Sequence, residues 1–173
     1  MRHLGEFSHA RRAEAHEERL ETQYLSFPLG SERFAVEILR VQEIRPLCAI
    51  MPIPNAPVHI RGVINLRGII VPVIDLRLRF GLMTNADPRF AIILVVNVQD
   101  KICGIIADAV PKVLAVSPSE LAPAPDFGQR VDLSFVSGVF HRAQELVLLL
   151  DLDHLLSVEL GRVCNDEIDL VAG

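Results

Sequence analysis

The chain has 173 residues, half of them apolar, enough to bury a core in one ordinary domain or two very small ones that share it. A net charge of −5 argues against a general nucleic-acid binder, which needs a basic surface for phosphate. The longest apolar runs, "GIIVPVI" and "LVLLLDL", are too short for a bilayer and are interrupted by a proline and an aspartate, so no membrane insertion is expected.

Residues 1–22 are polar and of mixed charge, without the apolar segment of a signal peptide. "ARRAEAHEERLE" holds good helix formers with acid–base pairs at helical spacing, but only a thin apolar stripe. This extension is expected to be a loosely docked helix or a mobile tail. From Tyr24 the period becomes two. Leu25, Phe27 and Leu29 alternate with Ser26 and Pro28, "GSER" turns the chain, and Phe34, Val36 and Ile38 follow. That pattern predicts a β-hairpin with one buried face. The alternation slips near Leu39–Arg40 and resumes at Val41 and Ile44, as a bulge would require.

"PLCAIMPIPNAPVHI" is a proline-rich connection. "RGVINLRGIIVPVIDLRLRFG" then reads as two deeply buried strands joined by a tight turn at Asn65–Gly68. Asn first and Gly fourth predict a type I turn. The second half repeats this plan, with strand, turn at Gln99–Lys101, strand, a proline-rich "APAPDF", and a final strand pair ending in aspartate. Phe34, Val41 and Ile44 map to Cys103, Val110 and Val113 at one constant offset. Gly62, Val63, Asp75 and Leu76 map to Gly138, Val139, Asp151 and Leu152 at a larger one. One insertion in the second connection accounts for the difference. The chain therefore contains an internal duplication of a five-stranded unit, each curling into a small barrel. Asp153 is expected to cap a short C-terminal helix over "HLLSVEL", followed by a flexible tail over 160–173.

No catalytic constellation is legible. "GVINLRG" lacks a P-loop lysine, no nucleophile elbow is present, and the histidines are scattered. The three cysteines have no pattern and read as reduced packing residues. No metal or cofactor is expected. The duplication does raise one enzymatic rival, a small hydrolase built on Asp75 and Asp151. Each acid, however, is followed by "LR" or "LD" in place of the small residues that would shape such a site. Aspartate satisfying backbone donors where a strand ends is the stronger reading. A binding module fits better. Arg67 sits at a turn tip among residues too apolar to bury it, with Leu66 as an exposed apolar neighbour and Glu43 of "VQEI" as the nearest internal carboxylate partner.

"FAVEILRVQEI", "MPIPNAPVHIRGVINLRGIIVPVIDLRLRFG" and "GIIADAVPKVLAV" resemble the CheW-like family of bacterial chemotaxis coupling proteins. The likeness covers about Tyr24 to Ser157. It implies an all-β domain over 23–159, made of two intertwined SH3-like five-stranded barrels (roughly 23–88 and 89–157) around a shared core, with short helices at the termini. It implies a non-catalytic adaptor, cytoplasmic and associated with receptor arrays at the inner membrane. The expected partners are the cytoplasmic tips of methyl-accepting chemoreceptors and the regulatory domain of the histidine kinase CheA, met through heterologous barrel-to-barrel contacts. The alternative within the family is a module of a pilus-type or other chemosensory pathway. The family's coupling glutamate and arginine fall on Glu43 and Arg67, with Val41 and Gly62 at the same surface and Leu66 and Gly68 flanking the arginine.

Overall fold

The computed structural model describes residues 20–125 and 132–171, with side chains described as far as Gly161. The expected N-terminal helix therefore lies outside the described residues, apart from the few that lead into β1. Period-two segments form β1 (Thr22–Leu29) and β2 (Glu32–Glu37), a hairpin whose Leu25, Phe27, Leu29, Phe34 and Val36 are all buried. A single 3-10 turn, Ile38–Arg40, leads into β3 (Val41–Pro46), and the register of β3 slips between Val41 and Glu43. The slip in alternation is thus a turn followed by a bulge. The proline-rich connection leads to β4 (Ile60–Leu66), β5 (Ile69–Ile74) and helix α1 (Leu76–Phe80). The second half supplies β6 (Ile92–Val98), β7 (Lys101–Ala107), β8 (Lys112–Val116), β9 (Val136–Arg142), β10 (Glu145–Leu150) and helix α2 (Leu152–Val171).

Two five-stranded sheets result, ordered β8-β1-β2-β10-β9 and β3-β6-β7-β5-β4. The orders are the same once the second half is laid on the first, which supports the duplication. Register agrees as well: Val73 faces Gly104 across the parallel β5–β7 pair, and Leu149 faces Ala35 across β10–β2. The two intertwined subdomains, expected roughly at 23–88 and 89–157, each draw strands from both halves of the chain. Each half places its first hairpin in the other half's sheet, so both barrels are built from discontinuous segments. Periodicity cannot reveal such an exchange, because a strand's pattern says which face is buried and not which strand lies beside it. The insertion is also corrected from one to two. The bridges Met51–Val63 and Ala122–Val139 are equivalent, and the second half is longer both before Ala122 and after it.

Alternation then divides each strand between two cores. In β6, Ile92, Leu94 and Val96 point into the main core between the sheets, whereas Ile93 and Val95 fill the interior of their own barrel with Ile64, Leu66, Val71, Val73 and Ile106. The other barrel is filled by Tyr24, Ala35, Val116, Phe140, Val147 and Leu149. A strand buried on both faces reads as a continuous apolar run for this reason. Cys103 sits in the main core, where burial raises its thiol well above the ordinary range, and Cys48 is half-buried; both are free.

The C-terminal expectation changes in two respects. Asp151, not Asp153, caps α2: its side chain accepts the His154 N–H at 3.0 Å and its carbonyl accepts that of Leu155 at 2.9 Å. Asp153 lies in the first turn, where a negative charge opposes the helix dipole favourably. The helical backbone also continues to Val171, well beyond the short helix expected over "HLLSVEL", and Gly161 does not stop it.

Candidate functional site

The β4–β5 hairpin closes with Leu66 opposite Ile69, leaving a two-residue loop, Arg67–Gly68, at φ 51° and 86°. Positive φ at both positions is the type I′ geometry, whose twist matches that of the flanking strands. This corrects the type I expectation. Gly68 adopts its φ without a Cβ penalty, and its N–H donates to Asn65 Oδ1 at 2.7 Å. Arg67 tolerates a left-handed backbone, as Ala143–Gln144 do in the matching loop and Gln99–Asp100 do in the β6–β7 loop. Its strain is a property of the hairpin and says nothing about function.

The Arg67 side chain is 70% exposed, and its Nη2 donates to Glu43 Oε2 at 2.7 Å. Glu43 belongs to β3, at the opposite end of the sheet order from β4. Curling of the sheet brings these ends together, through the Met51–Val63 bridge and this ion pair. The second barrel has no copy of the pair. Lys112 takes the place of Glu43, since each faces the matching strand (Ser26 for Lys112, Val95 for Glu43), and Ala143 takes that of Arg67. The fold can thus close without the pair, so its presence in one barrel is not required by the architecture.

The other expected contacts divide. Gly68 is exposed, and Val41 is half-buried against the main core. Leu66 is corrected: it is only 2% exposed, because it keeps phase with Ile64 and points into the barrel with it. The exposed apolar residues after the turn are Ile69 and Ile70, with Ile44 beside Glu43 on β3. Counting alternation back from Ile64 would have placed Leu66 inside. Gly62 is also buried and cannot offer a side-chain surface. Its φ is 138°, and a Cβ there would stand 2.0 Å from the Met51 carbonyl oxygen, so glycine is what allows the bridging strand to approach.

The two repeated aspartates serve helix starts. Asp75 accepts the Arg77 backbone N–H at 3.0 Å and the Arg77 side chain at 2.8 and 2.7 Å, while Asp151 caps α2. Arg77, not singled out in the sequence, continues to Asp108 at 2.7 Å, and Asp108 in turn accepts from Gly30 N–H and the Thr84 hydroxyl. The hydrogen bonds to Asp75 hold the Arg77 guanidinium more firmly protonated than usual. This network ties α1, the β1–β2 turn and the end of β7 together, and no hydrogen bond joins Asp75 to Asp151.

Residues 23–160 match the CheW-like domain family, a span that contains both barrels and the Arg67 turn. The chain belongs to the CheW-like family. It is 36% identical to the chemotaxis protein CheW of Klebsiella aerogenes over 137 residues, covering 79% of this chain and 82% of that one. It is 35% identical to the chemotaxis protein CheW of Rhizobium meliloti, covering 79% and 88% respectively. The solved scaffolding protein TtCheW from Thermoanaerobacter tengcongensis superposes with a TM-score of 0.72 at 31% identity, over 76% of this chain and 85% of that one. The two five-stranded sheets are those of the CheW fold, and the chain is a chemotaxis scaffold of the CheW type. Among the described residues, no helix is long and apolar enough to cross a membrane.

Proposed function

We propose that this chain is a non-catalytic cytoplasmic adaptor that couples methyl-accepting chemoreceptors to the histidine kinase CheA in receptor arrays at the inner membrane. The docking surface is the Arg67 turn of the β3–β7 barrel, with Glu43, Gly68 and Val41 around it and Ile44, Ile69 and Ile70 in place of Leu66 as apolar contacts. The observation that carries the reading is the exposed guanidinium, held at 2.7 Å by Glu43 and lacking a counterpart in the second barrel. An exposed ion pair adds only about 0–1 kcal/mol to stability. A fixed, planar donor fork beside exposed isoleucines is better suited to orienting a macromolecular contact, where desolvation strengthens it. The proposed action moves no phosphate. It holds two partners in an arrangement that biases the kinase between states.

Arg67→Glu tests the site. Pull-down with a CheA regulatory domain and with a receptor tip should weaken for at least one partner by about tenfold or more, the range of an interface hot spot. The melting temperature should stay within a few degrees, since only an exposed pair is lost. Unchanged capture of both partners would reject the assignment.

A further inference from the structure

Leu152, Leu155, Leu156 and Glu159 form the buried stripe of α2, and the last of them is a carboxylate that is 0% exposed. Placing a charge there is expensive unless it is paired and hydrogen-bonded. Glu159 is paired twice. Its Oε2 lies 2.5 Å from His59 Nε2, and its Oε1 accepts the Arg79 Nε–H at 2.9 Å. His59 immediately precedes β4, and its carbonyl accepts the N–H of Asp75, the residue that starts α1. Arg79 lies within α1, with its guanidinium 5.0 Å from the centre of the Phe135 ring and its Nη2 3.7 Å from Asp132. One side chain of α2 therefore grips the entry to β4 and the helix that follows β5, the two ends of the hairpin that carries Arg67.

The duplication shows that this polar cluster is not demanded by the fold. Phe135 occupies the position of His59 in the second half, since its carbonyl accepts the N–H of Asp151 as that of His59 accepts from Asp75. An apolar pair of similar volume commonly matches or exceeds a buried ion pair in stability, whereas breaking such a pair on one side is costly. A cluster of this kind fixes geometry more than it adds stability.

We infer that α2 is a strap, fastened by Glu159, that sets the rigidity of the β4–β5 hairpin. Lifting the helix from His59 and Arg79 loosens the base of the strands that present Arg67. What the hairpin captures rests on the proposed function; the strap itself is measured without any partner, so the two can fail separately. Amide hydrogen exchange on the full chain reads it. Glu159→Leu keeps a buried helix former and removes the carboxylate. It should speed exchange in β4, β5 and α1 by about tenfold while β1, β2 and β8 stay within about twofold, as a local opening would. The triple variant His59→Phe, Arg79→Leu and Glu159→Leu, which replaces the whole cluster by apolar side chains and leaves no guanidinium without its carboxylate, should return β4 and β5 to the wild-type rate. Should the leucine variant fail to fold, Glu159→Gln, which keeps one acceptor for Arg79, should give a smaller rise in the same strands. A rise spread evenly over both sheets, no rise in β4 and β5, or no recovery in a folded triple variant would overturn the strap.

Discussion

Gly62 and Ser26 show how a single position can be dictated by its neighbours or be free of them. At Gly62 both the backbone angle and the Met51 carbonyl exclude a side chain. Gly62→Ala should cost about 2–4 kcal/mol, by left-handed strain and by displacement of the bridge, and a thermal melt should show it. Ser26 is 1% exposed, and its hydroxyl finds no hydrogen-bond partner among the described residues. Its counterpart is Val95, which faces Gly104 and Glu43 as Ser26 faces Ala35 and Lys112. Ser26→Ala should therefore be neutral or stabilising by about 1 kcal/mol in denaturant unfolding, since it removes an unsatisfied buried group. Glu120 offers a pH test. The Ser117 backbone N–H, and then Arg142, favour its charged form and hold its carboxyl below the ordinary value. A carboxyl depressed in the folded state contributes its stability above the unfolded value and loses it as pH falls through the folded one. Glu120→Gln should thus flatten stability against pH on the acid side and change little in acid below both values.

At the scale of elements, hairpins were legible and their endings less so. Alternation locates β1 and β2, and continuous apolar runs and the repeat locate β4–β7, but Asn and Gly fit more than one turn type, so composition alone puts the turn at Arg67 one residue early. The closing pair Leu66–Ile69 is set by strand twist and by register against β7, which turn composition does not encode. The caps follow a similar rule. An aspartate at the end of a buried strand is expected to satisfy backbone donors, and each does so at the start of a helix. Asp75 also neutralises Arg77 in a buried setting, so Asp75→Ala should cost about 3–5 kcal/mol, as loss of one partner from a buried pair does. Asp75→Asn, which retains the cap acceptor, should cost less, and the difference between the two melts measures the cap.

At the scale of the molecule, the exchanged hairpins make each half incomplete. A fragment spanning 23–88 carries β1 and β2 without β8 and β10, and β3–β5 without β6 and β7. It should lack cooperative unfolding by circular dichroism, because too little apolar surface can be buried. Mixing it with a fragment spanning 89–173 should restore the transition. The intact chain should fold slowly for its size, since β2–β10 pairing must wait for most of the sequence.

The amino-acid order alone established the strand content, the duplication, the family resemblance and the charged pair at Glu43 and Arg67, because periodicity, repeated offsets and motif spacing are properties of neighbours in the chain. Which barrel each hairpin joins, why Gly62 is glycine and how Glu159 is held were decided only by the tertiary structure. Each of these depends on segments far apart in sequence that meet only when the sheets close, and local preferences carry no record of that meeting.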